Sequence, residues 1–232
     1  MKLFVNVGNT TIWFVYWENE IKHSFKLKHK DFLKDHLEKI NLPIEGIYIA
    51  SVVADMGLLV ADKLEAFFNM KPHIIQKEEI TKVYENEYPF AQLGIDRLLV
   101  AQGAVKKYNR PLIVCDLGTA STLNYINEYG EFEGGLIMPG MDMSLTNLYQ
   151  NTSKLPKVEK VGAVQFLGKN TEENIRSGIY YSLIFTIEAY ARQLNVPVIL
   201  TGGNSEHLLP YFKIPVNHEP TLLIEGMADI YA

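Results

Sequence analysis

Two stretches of the chain share one order of apolar and polar positions. Each has an apolar strand, a polar residue, a turn with glycine and threonine, and a second apolar run, over 3–15 and again over 112–126. Each then continues through a turn into a third strand, over 21–27 and 132–138. Asn, Gly and Glu in the connecting turns fit hairpins. This repeat predicts two structurally related halves.

Elsewhere, apolar positions alternate between the spacing of helices and that of strands. The predicted helices cover 31–40, 58–68, 96–108, 171–194 and 222–231. The predicted strands, short and rich in β-branched residues, cover 47–53, 73–76 and 197–201. A hairpin followed by alternating helices and strands, present twice, predicts an α/β fold of two lobes with mixed sheets flanked by helices. We place the lobes at 1–109 and 110–232.

The composition of the chain argues against several classes of function. The 232 residues are 47% hydrophobic and 21% charged, with a formal net charge of −5, which is ordinary for a soluble globular protein. Because no dense block of Lys or Arg occurs, we expect no nucleic-acid partner. No apolar run approaches the ~18 residues that span a bilayer, and no signal peptide is recognisable, so we expect no membrane partner. The single cysteine, Cys115, precludes an internal disulfide, which favours the cytoplasm.

The two glycine turns are candidate phosphate-binding loops. A glycine directly after a strand lets the backbone approach a ligand closely, and backbone N–H groups with Thr and Ser hydroxyls form a concave anion site. The residues that supply these groups are Gly8, Asn9 and Thr10 in the first turn and Gly118, Thr119 and Ser121 in the second. Asp116 ends its strand, where a carboxylate can hold a hard cation against a phosphate. One such loop is more often an ordinary hairpin turn, but two copies favour phosphate binding.

Three further segments have both a structural and a chemical interpretation. Asp96 and Arg97 open a helix, where Asp can cap the N-terminus, but they also fit a general base beside an anion-binding arginine. The glycine-rich segment 134–140 fits either a plain turn or a close approach of backbone to ligand. Gly202 and Gly203 follow a strand, where a base or ribose can lie. The histidines lack metal-ligand spacing, and no Walker A, serine-elbow or zinc motif supports a P-loop kinase or a hydrolase.

Taken in order, these motifs resemble those of the type III pantothenate kinases. The matching residues span nearly the whole chain: Gly8 to Thr10, Gly94 to Arg97, Asp116 to Thr122, Gly134-Gly135 with Pro139-Gly140, Thr171 with Gly178, and Gly202-Gly203. The resemblance implies the actin/Hsp70/sugar-kinase fold of two ribonuclease H-like lobes. It also implies transfer of the γ-phosphate of ATP to the hydroxyl of pantothenate, which gives 4′-phosphopantothenate in the first step of coenzyme A synthesis.

The resemblance also implies a role for each matching residue. Asp96 matches the general base, and Gly94, Arg97 and Thr171 match the pantothenate site. An aromatic residue is expected to line that site, and both Tyr88 and Tyr84 are candidates. The residues that match ATP-phosphate groups are Asn6, Gly8, Asn9, Thr10, Gly118, Thr119 and Ser121. The adenosine loop matches Gly202 and Gly203, and the metal site matches Asp116.

Asn6 departs from the family pattern, which has aspartate at the start of the first loop. The resemblance implies Mg²⁺, a monovalent cation (K⁺ or NH₄⁺) and a homodimer with the pantothenate site near its interface. Because asparagine keeps an oxygen ligand but lacks the negative charge, we expect weaker Mg²⁺ binding, or reliance on Asp116 and the phosphates. Asn6 leaves open a non-catalytic regulatory or binding protein with the kinase fold. A kinase or phosphatase of the same fold acting on another substrate is a further alternative.

Overall fold

The computed structural model describes residues 1–18, 21–32, 37, 40 and 43–231. These residues belong to two compact units, each discontinuous in sequence. Unit 1 comprises Met1–Val83, Pro89–Lys107 and Leu222–Ala232, and unit 2 comprises Tyr84–Tyr88 and Tyr108–Thr221. The lobe ranges 1–109 and 110–232 stay a prediction. No helix among the described residues is both long enough and apolar enough to cross a membrane.

Unit 1 is built on a five-stranded mixed sheet with the order β3-β2-β1-β4-β5. The strands are β1 Lys2–Val7, β2 Thr11–Glu18, β3 Ile21–Lys28, β4 Gly46–Ser51 and β5 His73–Ile74. The first three pair antiparallel, as the hairpin pattern predicts, and β4 and β5 add parallel to β1. Leu3, Phe4 and Val5 are all buried, so both faces of β1 lie in the interior.

The helices of unit 1 are α1 His29–Phe32, α2 Ala54–Phe68, α3 Ile95–Lys107 and α7 Leu222–Ile230. Helix α2 begins four residues before the predicted helix, and α3 and α7 lie within one residue of theirs. Most of the predicted helix over 31–40 falls outside the described residues. Leu37 and Ile40, which the structure does describe, join Phe32 in the core of this unit.

Unit 2 repeats the strand arrangement of unit 1 and adds a short edge strand. Its six-stranded sheet has the order β11-β10-β7-β8-β9-β6. The strands are β6 Tyr84–Glu85, β7 Leu112–Leu117, β8 Ala120–Ile126, β9 Glu131–Pro139, β10 Val198–Thr201 and β11 Val216–His218. Strands β7, β8 and β9 pair antiparallel, whereas β10 and β11 add parallel to β7. The same order of three antiparallel and then two parallel strands occurs in unit 1, which confirms the two related halves.

The helices of unit 2 are α4 Met141–Gln150, α5 Thr171–Leu194 and the short α6 Ser205–Leu208. The predicted bounds of α5 agree with the structure, whereas no sequence pattern predicts α4. Asn170 caps α5 because its side-chain oxygen accepts from the backbone N–H of Glu173. Buried residues of α5, including Ile184 and Ile187, pack on the β7 and β10 side chains in the core of the unit.

Helices α3 and α7 approach each other closely in unit 1 because glycine lies at their contact. A β-carbon on Gly226 would lie 1.9 Å from the carbonyl oxygen of Leu99, and one on Gly103 would lie 2.4 Å from that of Leu222. Ion pairs fix the end of α7, since Asp229 lies 2.6 Å from Lys82 Nζ and 3.0 Å from Lys106 Nζ. Helix α7 therefore holds α3 by close backbone packing and by charge.

The close contact of α3 and α7 predicts that Gly226→Ala destabilises the protein. Alanine favours a helix over glycine by about 1 kcal/mol, so helix propensity alone would stabilise the variant. The added methyl would instead meet the backbone of Leu99, and we expect a net loss of about 1–3 kcal/mol in the free energy of unfolding. Urea denaturation measures this change, and a variant as stable as the wild type would contradict the packing described.

Candidate active site

The first glycine loop joins β1 to β2 in unit 1. The N–H of Gly8 donates to the carbonyl oxygen of Thr11 at 3.0 Å, which closes the turn. The carbonyl oxygen of Gly8 lies 2.9 Å from His29 Nε2, on the helix that follows β3. Asn9 and Thr10 are exposed at the tip of the turn. The loop is thus held at its base, while its tip is open to a ligand.

Asn6 presents a polar atom that the protein leaves unsatisfied. Its Oδ1 is buried and has no hydrogen-bond partner among the described residues. An unpaired buried acceptor costs free energy, so such an atom is a favourable ligand for a donor or a cation. Amide and carboxylate oxygens are the ligands that hard cations prefer. Asn6 therefore fits an oxygen ligand beside the first loop, although it lacks the charge of aspartate.

The second glycine loop joins β7 to β8 in unit 2, and Gly140 packs directly against it. The N–H of Gly140 donates to the carbonyl oxygen of Thr119 at 3.1 Å. A β-carbon on Gly140 would lie 2.3 Å from the carbonyl oxygens of both Gly118 and Thr119. The glycine-rich segment 134–140 thus supports the loop by close backbone packing. Ser121 Oγ is buried with no hydrogen-bond partner in the described part of the chain.

The loop after β10 packs against the carboxylate of Asp116. Gly202 has a φ of +92°, and a β-carbon there would lie 2.3 Å from Asp116 Oδ1. Only glycine fits this position without strain or collision. The backbone N–H of Asn204 donates to the carbonyl oxygen of Leu117 at 2.9 Å. Unit 2 therefore brings together Asp116, Gly118 and Gly202, three residues that sequence reasoning assigns to metal, phosphate and adenosine.

Asp116 is suited to a magnesium site completed by a substrate. Among the described residues, no group of three or more His, Cys, Asp or Glu side chains could hold a metal ion. Mg²⁺ is commonly bound by one or two carboxylates together with substrate phosphates and water. The Asp116 carboxylate near the end of β7, beside the Gly118 turn, fits this arrangement.

Asp96 and Arg97 lie in the first turn of α3 in unit 1. The backbone N–H of Arg97 donates to Asp96 Oδ1 at 2.8 Å. A β-carbon on Gly94 would lie 2.4 Å from the same oxygen, so glycine leaves room for the carboxylate. Burial raises the pKa of Asp96 above its usual value, and the N–H and positive charge of Arg97 oppose that rise only in part. A carboxyl with a raised pKa beside a cation is suited to proton transfer.

The other predicted pantothenate residues lie in unit 2. Tyr88 packs edge to face on Phe132, with ring centroids 5.5 Å apart. Tyr84 lies in the edge strand β6 and is about half exposed. Thr171 is exposed at the first position of α5. Their role beside Asp96 stays a prediction.

A cavity of about 490 Å³ also lies in unit 2. Its lining is Asp142, Leu145, Thr146, Tyr149, Gln150, Lys157, Val158, Glu159 and Lys160. Sequence reasoning assigns no function to any of them. The lining comes from α4 and the segment 157–160, and none of it is among the predicted site residues.

Comparison with known proteins agrees with the arrangement of these motifs. A solved structure from Campylobacter jejuni, described as a Baf family transcriptional activator, has a TM-score of 0.68 at 20% identity and covers 98% of this chain and 96% of its own. Another, described as a 2-dehydro-3-deoxygalactonokinase from Sinorhizobium meliloti, has a TM-score of 0.60 at 13% identity, with coverage of 99% and 98%. At these identities the neighbours show the fold alone, which is that of the actin/Hsp70/sugar-kinase proteins.

Sequence similarity is more specific than the structural likeness. The type III pantothenate kinase from Persephonella marina is 36% identical to this chain. The alignment is 252 residues long with its gaps, and it covers 100% of this chain and 98% of that protein. A family model for type III pantothenate kinase matches residues 2–193. On these grounds, the chain belongs to the type III pantothenate kinase family.

Proposed function

We propose that this chain transfers the γ-phosphoryl group of ATP to pantothenate and so forms 4′-phosphopantothenate, in the first step of coenzyme A synthesis. The observation that carries this proposal is the family match over residues 2–193. The match also favours a kinase over the non-catalytic alternative that Asn6 leaves open. The neighbour described as a transcriptional activator is only 20% identical, so it supports the fold and not a regulatory role.

In the proposed reaction, the pantothenate hydroxyl oxygen bonds to the γ-phosphorus as the bond from that phosphorus to the bridging oxygen of ADP breaks. Asp96 accepts the hydroxyl proton, so the nucleophile gains charge as it attacks. The raised pKa of Asp96 makes its carboxylate a stronger base than an exposed one. Gly94, Arg97, Thr171 and one of Tyr88 or Tyr84 are the residues that we assign to pantothenate.

Phosphoryl transfer depends mainly on positioning and on neutralising phosphate charge. We assign the ATP phosphates to the loops at Gly8 and Gly118, whose N–H groups and hydroxyls are suited to anions. Mg²⁺, when bound, neutralises phosphate charge, and Asp116 and Asn6 are the oxygen ligands proposed for it. A monovalent cation, K⁺ or NH₄⁺, belongs to the same proposal. Adenosine is assigned to the turn at Gly202 and Gly203.

A homodimer formed through unit 2 is part of this proposal. Phe166, Leu167 and Phe185 are large, apolar and exposed. The Phe166 ring lies against Tyr181 and Phe185, with centroids 5.2 and 6.1 Å apart, so that these residues form one apolar cluster. Exposed clusters of this kind commonly mark protein interfaces.

We also propose a cytoplasmic location, because the one cysteine, Cys115, is buried and suits a reducing compartment.

Release of ADP that requires pantothenate is the test of the proposed reaction. We expect the purified protein to release ADP from ATP only when pantothenate is present, and to do so faster with K⁺ than without it.

Because Asp96 is the proposed base, Asp96→Asn should lower kcat by about 10²- to 10⁴-fold while ATP binding stays nearly unchanged. ATP binding without turnover would favour the regulatory alternative, and a fully active Asp96→Asn enzyme would contradict the role of Asp96.

Because Asn6 lacks a negative charge, we predict that the variant Asn6→Asp needs less Mg²⁺ for turnover than the wild type does. A carboxylate at this position should lower the Mg²⁺ concentration for half-maximal turnover by about tenfold, since one added charge beside a cation exceeds ~1.4 kcal/mol. The measurement is a Mg²⁺ titration of turnover at saturating ATP and pantothenate. Asn69→Asp, which adds the same charge at the exposed end of α2, is the matched control. An unchanged Mg²⁺ requirement in Asn6→Asp would contradict weak metal binding by the wild type.

A further inference from the structure

Lys160 lies in the segment that joins α4 to α5, yet its charged end meets the turn after β10. Its Nζ donates to Asn204 Oδ1 at 2.9 Å and to Asp142 Oδ2 at 2.8 Å. The backbone is held as well, because the hydroxyl of Tyr180 donates to the carbonyl oxygen of Lys160 at 3.0 Å. A residue of irregular structure is thus fixed at both its backbone and its ammonium group.

Asn204 connects the phosphate loop to the turn at Gly202 and Gly203. Its Nδ2 donates to the carbonyl oxygen of Gly118 at 3.2 Å, and its backbone N–H donates to that of Leu117. The residue itself is buried, with 6% of its surface exposed. The buried side-chain amide of Asn204 therefore hydrogen-bonds to the loop proposed for phosphate. The backbone of Asn204 continues the turn proposed for adenosine.

The ammonium of Lys160 sets the orientation of that amide. Lysine can only donate hydrogen bonds, whereas an asparagine side chain has one accepting end and one donating end. With Oδ1 turned toward Lys160, Nδ2 points at the carbonyl oxygen of Gly118. Asp142 balances the lysine charge, which leaves Lys160 better suited to hold Asn204 than to bind a phosphate directly.

We propose that Lys160 is a positioning residue for ATP, which acts through Asn204 to hold the Gly118 loop in place relative to the turn at Gly202 and Gly203. The inference rests on the proposed function, because it takes these two segments to bind the phosphates and the adenosine of one nucleotide. It predicts an effect on ATP that is separate from any effect on pantothenate, since Asp142 and Asn204, the two side chains to which Lys160 Nζ donates, are not among the residues assigned to pantothenate.

Lys160→Met removes the donor and keeps most of the side-chain volume. We expect the Kd of ATP, measured by calorimetry on the full-length protein, to rise about 3- to 10-fold, because a hydrogen bond from a charged group is lost. The KM of ATP should rise with it, whereas the KM of pantothenate should stay within about twofold. Lys160→Arg keeps a cationic donor and should recover most of the ATP affinity. Lys157→Met, in the same segment and exposed, is the control and should bind ATP as the wild type does.

A double variant separates positioning from direct contact. In an Asn204→Ala background, Lys160→Met should cause no further loss of ATP affinity, because Lys160 acts only through Asn204. A further loss would show direct contact with ATP and would overturn the proposal. An unchanged Kd in Lys160→Met, or an equal rise in the KM of both substrates, would overturn it as well.

Calorimetry also keeps this inference distinct from the proposed reaction. If the wild type binds ATP but never releases ADP with pantothenate, the reaction is wrong while the Lys160 comparison still decides the inference. If the wild type does not bind ATP, both proposals fail. A thermal unfolding curve for each variant identifies any general loss of fold, and a rise in the Kd of ATP that the unfolded fraction of Lys160→Met fully accounts for would overturn positioning.

Discussion

The partial burial of the Asp96 carboxylate is the constraint on which the proposed chemistry depends. A carboxyl whose pKa is raised in the folded state favours folding while it is protonated, and that contribution is lost as pH rises above its ordinary value of ~3.9. The charged form of this base is therefore held at a cost in stability. Gly94 leaves the space for this carboxylate, and the N–H of Arg97 gives it one fixed partner. Glycine contacts between α3 and α7 hold the helix that presents it.

The proposed nucleotide site in unit 2 depends on close backbone packing. Gly202 fits against Asp116 only because it has no β-carbon, and Gly140 packs in the same way against the turn at Gly118. These contacts place the Asp116 carboxylate, the loop proposed for phosphate and the turn proposed for adenosine at one end of β7. Asn204 then ties the loop to the turn. The same strand order in unit 1 produces a comparable glycine turn, but there the strand carries Asn6, whose buried oxygen lacks both a charge and a partner within the described residues.

Sequence patterns predict the parts of this structure that local spacing controls. Apolar strands that end in glycine are local signals, so both β-hairpins and both glycine turns are confirmed. Helix α4 is not predicted, because only Met141 and Leu145 of its residues are buried and the helical periodicity is weak. Lys160 is not predicted either, because its partner Asn204 is 44 residues away and its own segment has no regular spacing. Likewise, no periodicity indicates that α7 returns to pack on α3. Contacts between distant segments, not local patterns, complete the site.

The most direct test of the account is the pH dependence of kcat/KM for pantothenate, which reports the ionisation of the base in the free enzyme. With Asp96 as a partly buried base, activity should fall on the acid side with an apparent pKa above ~3.9, the ordinary value for aspartate. The residual turnover of Asp96→Asn should lack that acid limb. An identical acid limb in the variant, or one at or below the ordinary value in the wild type, would contradict the claim that burial prepares Asp96 to accept the proton.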